Sequence, residues 1–84
     1  MTDRRVLREW LVEALRKLGG SGTVLQVSKV VWETHGTDLR DAGDLLFTWQ
    51  YDLRWAANAL RAEGVLEAVH GARNRPWTLK RSAT

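Results

Sequence analysis

The sequence predicts one small α+β domain of three helices and a β-hairpin, in the order α–β–α–α–β–β. Three observations predict it. An apolar stripe at helical spacing runs through Trp49, Leu53, Ala56 and Leu60, and Gly64 closes it. Two short apolar runs, VLEAV and PWTL, then flank HGARNR, a segment crowded with arginine, asparagine and glycine. Finally, a chain of 84 residues has length for one hydrophobic core and not for two.

The first helix is expected over residues 3–18, where Val6, Leu7, Trp10, Leu11, Ala14, Leu15 and Leu18 form one broad apolar stripe. Thr2 or Asp3 can cap its start, and Gly19-Gly20 ends it. Thr23 and Val24 are expected to form a very short strand that pairs with the hairpin. A second helix follows over residues 25–35, with Val27, Val30, Val31 and Thr34 inward and Gly36 closing it. Its β-branched residues lower helix propensity, so packing must hold it in place. Residues 37–47, TDLRDAGDLLF, allow a helical turn at 39–42, and Asp44 can cap a further turn or the third helix itself. The third helix is expected to begin between Asp44 and Thr48. Pro76 suits an edge strand or a bulge. Residues 1–80 then form one domain and 81–84 a frayed tail.

Composition narrows the chemistry. There is no cysteine, which removes disulfides, thiolate zinc sites and cysteine nucleophiles together and fits a cytoplasmic protein. No apolar run approaches the ~20 residues needed to span a bilayer, and MTDRRVLREW lacks the apolar stretch of a signal peptide. Five tryptophans stand against one phenylalanine and one tyrosine, enough ring area to stabilise a small core. The net charge of +3 is unevenly spread. Residues 1–20 hold five basic and three acidic groups, and residues 67–84 hold four basic groups and one acid, while the middle is neutral to acidic. Such one-sidedness is the footprint of a phosphate-binding face or an ordinary solvated surface.

Catalysis finds no support. His35 and His70, the only histidines, have no partner at metal-ligand spacing. Asp38, Asp41 and Asp44 lack the calcium-loop pattern, and GGSG lacks the lysine of a phosphate loop. The expectation is a non-enzyme with no catalytic residue, metal or cofactor.

The element order is that of a winged helix-turn-helix, in which one helix enters a DNA groove and a hairpin grips the backbone beside it. The polar side of the third helix carries Gln50, Arg54, Asn58 and Arg61. Its early turns offer Thr48, Gln50, Tyr51 and Arg54 to base edges. Gln pairs with adenine N6 and N7, and Arg with guanine O6 and N7. Asn58 is placed to meet the backbone or only solvent. Arg73, Asn74 and Arg75 at the hairpin tip can reach phosphates or a narrow minor groove. Trp49 is assigned to the core and Tyr51 to a phosphate. The sharper alternative has one of these rings touching a thymine methyl or a modified base.

The run Trp49-x5-Trp55-Ala56-x3-Leu60-x3-Gly64-Val65-Leu66-Glu67, followed by Trp77-Thr78-Leu79, resembles the N-terminal winged-helix domain of Mrr-type restriction endonucleases. Leu18-Gly19-Gly20 with Thr23-Val24 is similar to the turn between that family's first two helices. The chain departs from the family in a longer hairpin tip, in His70-Gly71-Ala72-Arg73 where the family has an Arg-Gly pair, and in lacking the nuclease domain. The resemblance implies a double-stranded DNA reader, dependent on sequence or on methylation, either restriction-associated or a small transcription regulator. It does not imply cleavage by this chain. Expected partners are double-stranded DNA, a homodimer partner, and a nuclease or other effector domain in a longer protein. The alternative is a winged helix used for protein interaction or dimerisation without DNA readout.

Overall fold

A computed structural model describes residues 4–67 and 76–80. They form three helices and a two-stranded antiparallel sheet: α1 (Val6–Lys17), β1 (Ser21–Gly22), α2 (Val24–Arg40), α3 (Leu45–Ala62) and β2 (Trp77–Thr78). Helix α1 buries Leu7, Trp10, Leu11, Ala14 and Leu15, one stripe at helical spacing, and packs on both α2 and α3. It begins later than expected, with Arg5 at the N-cap position and no capping side chain. The proposed caps Thr2 and Asp3 lie outside the described residues, as does the 81–84 tail.

Helices α1 and α3 stop in the same way. Gly19 (φ 89) and Gly64 (φ 82) adopt the left-handed conformation that glycine tolerates best. The following amides, of Gly20 and Val65, then donate back to the carbonyls of Leu15 and Leu60 at 2.7 and 2.9 Å. Two orphan carbonyls are satisfied and the chain reverses sharply at each end.

The start of α2 corrects an expectation. Thr23 is its N-cap: Thr23 Oγ1 accepts from the Gln26 amide, and Gln26 Oε1 accepts from the Thr23 amide. The strand therefore sits two residues earlier, at Ser21–Gly22. The end of α2 is a second correction, because Gly36 does not close it. The helix continues to Arg40 through a kink at His35 (φ −125, ψ 17). Gly36 is buried inside, where an added Cβ would meet the Trp32 ring at an ordinary contact distance of 3.6 Å. His35 lies flat on Trp10, ring centroids 4.1 Å apart, with Glu13 at 3.1 Å from Nε2 and Asp38 at 3.6 Å from Nδ1. These contacts hold α2 past the glycine, so the turn expected at 39–42 becomes its final turn and buries Leu39. Thr34, expected inward, is exposed and accepts from Lys17 Nζ.

Strand β2 lies between two partners. It pairs antiparallel with β1, Ser21 opposite Thr78 and Gly22 opposite Trp77. On its other side Leu66 and Leu79 form a single bridge, with Glu67 N donating to Thr78 O and Lys80 N to Val65 O, both at 2.9 Å. The expected first hairpin arm is thus one bridge rather than a strand among the described residues. The observed order is α–β–α–α–β.

The buried side chains among these residues are all apolar, and they include Trp10, Trp49 and Trp77. Trp32 and Trp55 stay partly exposed under arginines: Arg40 lies over Trp32 and Arg4 over Trp55. No helix among the described residues is long and apolar enough to cross a membrane.

Candidate nucleic-acid interface

Helix α3 divides its residues cleanly. Leu45, Trp49, Leu53, Ala56, Ala57 and Leu60 are buried against the other helices. Directly opposite, at spacings of four, three and four residues, lie Phe47, Tyr51, Arg54 and Asn58, all exposed. This outer line is ~16 Å long at the rise of an α-helix. Gln50 and Arg61 flank it on one side, Thr48 and Trp55 on the other, and the line carries no carboxylate.

Side-chain partners separate the residues further. Gln50, Tyr51 and Arg54 make no side-chain hydrogen bond or ion pair among the described residues, so their donors and acceptors face solvent. Thr48 is engaged within the helix, its hydroxyl donating to Asp52 at 2.9 Å. Asn58 accepts from Arg61 Nη1 at 3.0 Å, while Arg61 Nε reaches the Glu67 carbonyl at 3.3 Å. That pair ties the end of α3 to Glu67 in the chain that follows it. Trp49 is only 6% exposed and stacks with Trp32, so it is a core residue and is not placed to touch a base. Arg73, Asn74 and Arg75 lie outside the described residues.

Two residues were missed from sequence. Phe47, 83% exposed, sits on the outer line one turn before Tyr51, itself 80% exposed. Its face depends on where α3 begins, and that start was placed only within a window. Arg4 reaches the flank of α3 by lying 4.6 Å over the Trp55 ring. Nothing in the spacing of the two residues signals that contact.

Two open grooves adjoin these helices. One of ≈590 Å³ lies between α2 and α3, lined by Leu25, Lys29, Trp32, Leu46 and Gln50 among others. It continues the outer face of α3 with a partly apolar wall, one cation, Lys29, and one carboxylate, Glu33. The other, ≈860 Å³, runs along α1 past Arg5, Arg8, Glu9, Glu13, Arg16 and Lys17. There four basic residues stand against two acids, with Arg8 paired to Glu63 and Lys17 to Glu13. No set of three His, Asp or Glu side chains among the described residues is arranged to hold a metal ion.

No protein family, no curated protein and no solved structure matches the chain.

Proposed function

We propose that this chain is a winged-helix module that binds double-stranded DNA, with α3 in the major groove and the 67–76 hairpin segment on the adjacent backbone. One observation carries the proposal: α3 commits one face wholly to the core and presents Gln50, Tyr51 and Arg54 outward, without partners among the described residues. Unpaired hydrogen-bonding groups on a rigid helix are what direct base readout uses. The order of helices and strands agrees with a winged helix, and Arg73, Asn74 and Arg75 are assigned phosphate contacts in this scheme. Association with an Mrr-like restriction system, in the cytoplasm and without catalysis by this chain, completes the proposal.

Duplex binding measured by fluorescence anisotropy tests it. Affinity is expected to fall steeply with salt as phosphate-bound counterions are released. Arg54→Ala and Gln50→Ala each weaken binding to a preferred duplex by ~1–3 kcal/mol, about 5- to 150-fold, and blur sequence preference. Arg73→Ala and Arg75→Ala weaken binding to every sequence alike. Absence of binding to any duplex at low salt, methylated or not, overturns the proposal.

A second reading has a specific observation in its favour. Phe47 and Tyr51 form an exposed aromatic pair on the same face, as a protein-docking helix would. Light scattering and a pull-down that survives nuclease treatment separate the two.

A further inference from the structure

The chain's single phenylalanine and single tyrosine both stand in water, one turn apart, at the beginning of the outer line of α3. The core has no need of them, being filled by leucine, valine, alanine and three tryptophans. The next residues on the line and its flanks, Gln50, Arg54 and Asn58, are polar. The face therefore begins apolar and continues as hydrogen-bonding groups, with no acid on it. A major-groove edge has the same mixed character. It offers acceptors and donors on every base pair and one kind of apolar group, the C5-methyl of a pyrimidine. The first turns of a groove-bound helix are the ones that reach base edges.

We infer that Phe47, supported by Tyr51, is a specificity-determining residue that packs on the C5-methyl of a pyrimidine. This rests on the DNA-binding proposal above. The polar flanks Gln50 and Arg54 match the acceptors and donors that a base edge presents beside such a methyl group. Thymine and 5-methylcytosine present the same methyl group, and the experiment distinguishes them.

Duplexes are selected from random pools, unmethylated and cytosine-methylated. The preferred duplex is then remade with deoxyuridine for each thymine, or cytosine for each 5-methylcytosine, one position at a time. Loss of the contacted methyl should weaken binding by the native protein about fourfold, the value of one buried methyl-sized group. Phe47→Ala should bind the methylated and demethylated duplexes equally, with an unchanged melting temperature because the ring is exposed. A deoxyuridine effect identifies thymine, and an effect confined to the methylated pool identifies 5-methylcytosine. If the native protein binds its preferred duplex but no methyl removal changes affinity, this inference falls and DNA binding stands. It falls equally if Phe47→Ala keeps the full methyl dependence, or abolishes self-association while leaving duplex affinity intact. If no duplex binds at low salt, both fall.

Discussion

Leu53→Ala is expected to destabilise the domain by about 2–5 kcal/mol, the range for emptying a leucine site in a packed core. Leu53 is fully buried on the inner face of α3, adjacent in sequence to Arg54. A domain of this length has a total stability of roughly 4–13 kcal/mol, so the change removes a large share of it. Urea denaturation should show a lower midpoint at an unchanged slope. Any loss of DNA binding in this variant should follow the unfolded fraction. Arg54→Ala should do the opposite, weakening binding while the midpoint stays in place. A loss below ~1 kcal/mol for Leu53→Ala would contradict the packing described here, since it is under the range for truncating a buried leucine.

Trp10→Ala is expected to be as damaging, at about 3–5 kcal/mol. The ring is 7% exposed and carries the His35 imidazole stacked at 4.1 Å and nearly parallel, 5° apart. Its removal opens a cavity and uncovers an imidazole held between Glu13 and Asp38. Trp10→Phe keeps a stacking face and should recover most of the loss. A double-mutant cycle with His35→Ala should return a coupling of roughly 0.5–1.5 kcal/mol, typical of paired aromatic rings. Coupling near zero would mean that the Trp10 ring does not hold the kink in α2, leaving it to the Glu13 contact and the helix itself.

The parts of the fold legible in the sequence are those fixed by local chemistry. The Trp49, Leu53, Ala56 and Leu60 stripe is buried, and Gly64 stops α3 in the left-handed conformation. Gly36 shows why other parts were not legible. A glycine in a β-branched helix reads as a stop, but here the helix continues because Trp10 and Glu13 hold His35 from another helix. Those are tertiary causes with no local signature. Thr23 is different, since Thr-x-x-Gln is a capping-box pattern and was present to be read. For the candidate site, periodicity identified the polar face of α3. The unresolved start of the helix concealed Phe47, the most exposed large apolar side chain among the described residues.

The short ladder between β1 and β2 also bears on the order of folding. It joins Ser21 to Thr78, 57 residues apart, through only two residue pairs. Closing that loop is repaid by few bonds, whereas α1 and α3, also distant in sequence, are joined through the buried core. The helices can therefore assemble before the sheet, and the sheet can open without them. In hydrogen exchange the Leu79 and Glu67 amides, bonded to Gly20 and Thr78, should open at lower free energy than those of Leu11 and Leu53. The helical scaffold would then keep α3 in place while β2 detaches and re-forms on its own timescale.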